Sequence, residues 1–273
     1  MNGPESSPQA GSAPFAGVGV ALVTLFDERG EADPSATAEL ASRLVGCGVR
    51  SVLVAGSTGE ASALEPSERA ALVSAVRAVL PDDVPVLAGS GAPSARQASI
   101  LTSMVIDAGA DLVLALAPPQ SSDPRAYYDA LAEVAGTDRL LAYHFPAVSQ
   151  PGIPVPVLPE LPVCGVKDSS GDLLRLYDEV RTFGGAIYTG SANLVCVAGM
   201  LGCSGAILAI ANVCPELAIS AFGDRNVATP VEPAAKAQLA LYEESLRVSK
   251  GWPRSLKEAV AARWGTSTVC RMG

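Results

Sequence analysis

Short apolar runs recur along this chain, and segments of helix length separate them. The runs at 18–25, 51–55, 84–88, 112–117, 140–144, 163–167, 186–189 and 205–208 are almost continuously apolar. A strand with one wet face alternates, whereas a strand covered on both faces does not, so these read as strands of a buried parallel sheet. Between them, 35–47, 66–79, 95–108, 124–135, 173–182 and 193–200 read as helices. Glu65-Pro66-Ser67-Glu68 is a start signal, with proline near a first helical position and acid in the first turn. Eight such strands alternating with helices predict an α/β fold, a closed (β/α)8 TIM barrel. A doubly wound open sheet is the alternative, and it lacks the expected GxGxxG turn after the first strand.

The remaining segments set the predicted boundaries. The stretch 154–161 is short and interrupted by proline, so the crossover after the fifth strand is expected to be abbreviated. The segments 215–222, 233–250 and 254–264 read as an appended C-terminal helical region packed on the barrel. Residues 1–15 are mainly Pro, Ser, Gly and Ala and are expected to form a disordered tail. This gives a tail at 1–15, a barrel at 16–213 and a helical region at 214–273, with no linker rich enough to set off an independent domain.

Composition narrows the function. A formal charge of −9 argues against nucleic acid or an anionic membrane as partner. The six cysteines form no CxxC pair and lie mostly in apolar runs, as reduced, buried side chains do. With His144 as the one histidine, a zinc site of His or Cys type is short of ligands, and no metal is expected. No apolar run reaches spanning length and no basic segment precedes one, so a soluble, cytoplasmic protein is expected.

Catalytic groups of such a barrel lie at the C-terminal strand ends. Those ends carry Thr24, Gly56-Ser57-Thr58-Gly59-Glu60, Gly89-Ser90-Gly91, Tyr143-His144, Lys167 and Gly190-Ser191. Lys236, Lys250 and Lys257 fall in polar helical surroundings, where a solvated ammonium is expected. Lys167 ends a buried strand. Desolvation there favours a neutral amine able to form a Schiff base. The other reading is a strand-end lysine that reaches solvent or pairs with Asp168. The Gly56–Gly59 turn offers N–H groups and hydroxyls for a carboxylate, or is a tight turn only. Tyr143 is a proton-carrying phenol or a barrel-filling aromatic. His144, its neighbour in the strand, points the other way and reads as a packed histidine.

These strand ends, in order, resemble the dihydrodipicolinate synthase / N-acetylneuraminate lyase family. The resemblance rests on Gly56-Ser57-Thr58-Gly59-Glu60, Ala88-Gly89-Ser90-Gly91, Tyr143-His144-Phe145-Pro146, Gly165-Val166-Lys167-Asp168-Ser169-Ser170-Gly171-Asp172, and Gly202 to Val213. It implies a class I aldolase or lyase in which Lys167 forms an imine with pyruvate or another 2-oxo acid. Tyr143 would carry the proton, and Ser57 would link it to solvent. Gly56, Ser57 and Thr58 would hold the carboxylate, with Ile207 and Gly190 beside the bound imine. The resemblance implies no organic cofactor, and a homo-oligomer, dimer or tetramer.

Two departures bear on the substrate. No arginine occurs between Arg139 and Arg175, where the synthase branch carries its clamp for the aldehyde's carboxylate. The fourth strand ends in Ala117-Pro118-Pro119-Gln120 without that branch's relay tyrosine, and Tyr127 and Tyr128 are not obvious replacements. Val269-Cys270-Arg271 also falls short of the family's usual last helix, which would open one side of the site or alter oligomer contacts. A 2-keto-3-deoxy-acid or 4-hydroxy-2-oxoglutarate-type substrate is therefore expected. The alternatives are condensation of pyruvate with aspartate semialdehyde, and a non-catalytic protein that binds a 2-oxo acid.

Overall fold

The computed structural model describes residues 13–223 and 231–273. Strands β1 (Gly17–Ala21), β2 (Ser51–Val54), β3 (Val86–Gly89), β4 (Leu112–Leu116), β5 (Leu140–His144), β6 (Gly165–Asp168), β7 (Ala186–Thr189) and β8 (Gly205–Leu208) pair in sequence order, all parallel. β8 returns to β1, with Val18 opposite Ala206 and Gly19 opposite Ile207, so the barrel is closed as predicted. Helices α1 (Pro34–Gly46), α2 (Pro66–Val79), α3 (Ala95–Asp107), α4 (Arg125–Ala135), α5 (Leu173–Thr182), α6 (Val195–Met200) and α7 (Pro215–Phe222) fill the crossovers. The crossover after β5 is a short 3-10 turn, Val155–Glu160, as its prolines require. Helices α8 (Val231–Ser249) and α9 (Arg254–Trp264) follow. Among the described residues, no helix is long and apolar enough to cross a membrane.

The near-continuous apolar runs have a direct cause, because each strand feeds two cores. Leu53, Leu87, Leu114, Leu141, Tyr143 and Ile207 point into the barrel. Their neighbours Val52, Val54, Val86, Ala88, Val113 and Val166 pack outward against Leu44, Leu72, Val76, Leu131 and Leu176 of the helices. Cys196, Cys203 and Cys214 are buried.

Four expectations need revision. The first strand ends at Ala21 rather than near 25, because side chains take over the next backbone donors. Val23 N donates to Asn212 Oδ1 (3.2 Å) and Leu25 N to Thr37 Oγ1 (3.1 Å). Phe15, assigned to the tail, is buried and closes the barrel floor, stacked on Tyr188 with ring centroids 4.4 Å apart. The predicted tail residues 1–12 lie outside the described residues. Helix α7 follows β8 and packs on β1, so it completes the ring rather than starting an appendage. Finally, Lys257 is not solvated. It is buried in an ion pair with Glu60, Nζ to Oε1 2.6 Å.

Candidate active site

Lys167 sits on β6, one rung across from Tyr143 on β5. Both point into the barrel, because inward and outward positions alternate along each strand. Lys167 is 4% exposed, and its Nζ lies 4.4 Å from the centroid of the Tyr143 ring. Among the described residues no carboxylate pairs with it. Asp168, its neighbour, points outward to Arg175 (Nε to Oδ2 3.3 Å) and accepts from Ser170 N (2.7 Å). The salt-bridge reading of Lys167 therefore fails. Burial alone brings its pKa down to about 7, so half its population is a free amine near neutrality.

The Tyr143 hydroxyl lies between two serines. Ser169 Oγ donates to it (3.3 Å), and Ser57 bonds it from the β2 turn. Burial pushes this phenol up to about 12, against the pull of both serines. Ser57 and Ser169 are each part-exposed while Tyr143 is buried, so the two hydroxyls connect a dry phenol to the mouth. Ser169 carries no obvious signal in the sequence, since Lys167-Asp168-Ser169-Ser170-Gly171-Asp172 reads as one polar turn. Of the four polar side chains that follow Lys167 in it, Ser169 is the one that bonds the Tyr143 hydroxyl. Asp168 and Ser170 brace the turn, and Asp172 caps α5 by accepting from Leu174 N and Arg175 N.

The turn 56–60 forms a single 3-10 bend, with Gly59 N donating to Gly56 O (2.9 Å). Two non-glycine residues in left-handed conformation, Ala55 (φ 52°) and Glu60 (φ 56°), bracket it. Such residues cost about 1–3 kcal/mol each and persist only where surroundings fix them. Thr24 supplies one such contact, its Oγ1 donating to Gly59 O (2.8 Å). Gly89 supplies room, because a Cβ there would stand 2.1 Å from Ala55 O. Thr58 is buried within the turn, and Ile207 is buried inside the barrel on β8.

Several residues fall outside the site. His144 faces outward as expected, and its Nδ1 accepts from Ile153 N (2.9 Å). Burial and Arg175 hold its pKa down at about 4, so it stays neutral. Tyr127 bonds Ala92 O, and the Tyr128 hydroxyl donates to Ala115 O (2.9 Å), both on the helical side of the sheet. Both phenols are engaged with backbone groups, and Tyr128 also accepts from Tyr143 N (3.4 Å). Arg175 is also spent behind β6, on Asp168, Glu179 and Ile153 O. A groove of about 800 Å³ opens at the opposite end of the barrel, beside Arg139, Cys164 and Phe183. Its thiol, Cys164, is pushed up to about 11 by burial and is a poor nucleophile.

Residues 14–263 match the family model described as the dihydrodipicolinate synthetase family. The chain belongs to that family. It is a class I aldolase/lyase-type enzyme, as the family is. The 4-hydroxy-tetrahydrodipicolinate synthase of Corynebacterium aurimucosum is 33% identical over 253 residues, covering 88% of this chain and 83% of its own. A DapA-like lyase of Halobacterium salinarum is 32% identical, covering 90% of this chain and 84% of its own. Among solved structures, the dihydrodipicolinate synthase of Acinetobacter baumannii, complexed with pyruvate, superposes with a TM-score of 0.85. It is 25% identical and covers 95% of this chain and 92% of its own. An N-acetylneuraminate-lyase-like protein of Clostridium difficile, in complex with mannosamine, has a TM-score of 0.85 at 22% identity, covering 94% of this chain and 91% of its own, and shows the same fold.

At Gly190 added bulk would press directly on the site. A Cβ at that position would stand 1.9 Å from Ser169 Oγ and 2.9 Å from Lys167 Cε. Gly190→Ala is expected to keep the fold by circular dichroism and to slow borohydride trapping of pyruvate by about 100-fold, the cost of misplacing a reacting group by an ångström. Trapping at the wild-type rate would show that the lysine moves freely aside.

Proposed function

We propose that this protein forms a Schiff base between Lys167 and the ketone of pyruvate or a 2-oxo acid, and makes or breaks the adjoining carbon–carbon bond. The observation that carries this reading is a buried lysine without an ion-pair partner among the described residues, titrating near 7 beside a phenol. The free amine adds to the ketone carbon, and the carbinolamine hydroxyl leaves as water with the proton of Tyr143, which gives an iminium beside a phenolate. For cleavage, the substrate's C4 hydroxyl gives its proton to Tyr143 while the C3–C4 electrons move into the iminium. The products are an aldehyde and a pyruvate enamine, and protonation and hydrolysis then release pyruvate. The cationic iminium also serves the phenol, because positive charge beside Tyr143 stabilises its phenolate. Gly56, Ser57 and Thr58 hold the carboxylate, Ser57 passes the proton of Tyr143 toward solvent, and Ile207 and Gly190 flank the imine.

The substrate we favour is a 2-keto-3-deoxy acid or a 4-hydroxy-2-oxoglutarate-type acid. With Arg175 engaged behind β6, the mouth lacks a guanidinium from 140–174 to clamp a second carboxylate. Condensation of pyruvate with aspartate semialdehyde is the second reading, favoured by the Corynebacterium relative. We further propose a cytoplasmic homo-oligomer, dimer or tetramer. Exposed Leu173, Leu174 and Tyr177 on α5 suit burial against a second copy.

Borohydride reduction with pyruvate, followed by peptide mass spectrometry and an aldehyde screen, tests the reading. A reduced adduct is expected at Lys167, forming faster as pH rises through about 7 and levelling above it. The sign follows from the amine, which is nucleophilic only when deprotonated. No adduct at saturating pyruvate would sink the proposal. Turnover of aspartate semialdehyde with no cleavage of any 2-keto-3-deoxy acid would move the assignment to the synthase.

A further inference from the structure

Glu60 closes the carboxylate turn, and its side chain is bound by a segment 212 residues further along the chain. Its backbone is left-handed (φ 56°) and its side chain is buried. Glu60 N donates to Ser57 O (3.2 Å) and Ala61 N to Gly56 O (3.3 Å), so the bend carrying Ser57 and Thr58 depends on the Glu60 backbone. Both carboxylate oxygens are engaged. Oε1 pairs with Lys257 Nζ (2.6 Å), and Oε2 accepts from Arg271 N (2.8 Å) and Met272 N (2.7 Å). Lys257 Nζ in turn donates to Val269 O (2.7 Å).

What keeps these backbone donors in place is the Arg271 guanidinium. It forms a two-pronged pair with Glu68 (2.7 and 2.6 Å) and donates to Gly30 O (2.6 Å) and Ala63 O (2.8 Å). It also lies over the Phe26 ring, 4.6 Å from the centroid. Glu68 caps the start of α2, taking the Glu65 N–H (2.9 Å). Arg271 therefore fastens residues 269–272 to both flanks of the turn, the 26–30 loop and the start of α2. The segment closes over this flank instead of leaving one side of the site open.

We propose that residues 269–272 are a strap that sets affinity for the carboxylate end of a 2-oxo acid by fixing the 56–60 turn through Glu60, with Arg271 as its positioning residue. The proposal rests on the assignment of that turn to the substrate carboxylate. A turn held rigid before binding loses little freedom when the ligand arrives, whereas a loosened one must be ordered by it. Loss of the strap is thus a loss of affinity. Lys167 and Tyr143 stand on β6 and β5, outside the strap, and the turn's own link to them, Ser57 to the Tyr143 hydroxyl, is restored once bound ligand orders the turn.

The test compares the full-length wild type with Arg271→Ala and Arg271→Lys. Amide exchange is read on peptides spanning 55–64 and, as control, 165–168, and pyruvate half-saturation is read by borohydride trapping. Arg271→Ala is expected to exchange faster at 55–64 only. It should need about tenfold more pyruvate, the worth of one to two lost contacts, and reach the wild-type trapping rate at saturation. Arg271→Lys keeps the charge without the two-pronged geometry and should fall between. Unchanged exchange at 55–64 in Arg271→Ala overturns the strap, whatever happens to trapping. Faster exchange with unchanged half-saturation overturns its link to affinity. If the wild type itself traps no pyruvate, the assignment of the site fails, and the exchange data still decide whether 269–272 hold the turn.

Discussion

Lys167→Ala is expected to lose all reducible pyruvate adduct and all carbon–carbon lyase turnover, while Lys167→Met is expected to be inactive and more stable than the wild type. Both expectations have one cause. Among the described residues no carboxylate offsets the desolvation of the buried amine, and burial lowers its pKa to about 7. In the unfolded chain it holds its proton up to about pH 10.4. Between these values the unfolded state binds more protons, so the fold gains stability as pH rises. The penalty is full below about 7 and fades toward about 10.4. Lys167→Met, which keeps the length and removes the charge, should therefore gain about 2–4 kcal/mol at pH 6.5 and little at pH 10. Urea unfolding at the two pH values measures it. A methionine variant no more stable than wild type at pH 6.5 would show that the amine is solvated, and the neutral nucleophile would go with it.

The barrel was legible because a strand buried on both faces must be apolar throughout, and eight such runs leave few alternatives. Lys167 and Tyr143 were legible for a related reason. A charge or a phenol at the end of such a run has to be accounted for, and β5 and β6 bring the two to the same rung. Ser169 and Lys257 were not. In Lys167-Asp168-Ser169-Ser170-Gly171-Asp172 four polar side chains follow the lysine and look alike, and only the direction of the chain after β6 sends Ser169 to the phenol and Asp172 to the helix cap. Lys257 lies in a helix whose neighbours are polar, so local pattern puts it in water. Its partner Glu60 is nearly two hundred residues earlier, and no local reading anticipates that distance. Phe15 erred in the same direction, because its partner Tyr188 is equally remote.

Lys257→Ala is expected to destabilise the fold by about 3–5 kcal/mol, the cost of leaving a buried carboxylate unpaired. Lys257 and Glu60 have fully buried side chains, and the ammonium also lies 4.2 Å from the Phe26 centroid and bonds Val269 O. A surface lysine lost from an exposed pair would cost under about 1 kcal/mol. The pair Lys257→Met with Glu60→Gln removes both charges and keeps an acceptor for Arg271 N and Met272 N. It should recover more than half of the loss, since most of the penalty belongs to the orphaned charge rather than to the attraction. Chemical denaturation of the wild type and the two variants separates these contributions. A loss below about 1 kcal/mol for Lys257→Ala would mean that water reaches Glu60. The Glu60 carboxylate would then be held by the Arg271 and Met272 amides without the ion pair.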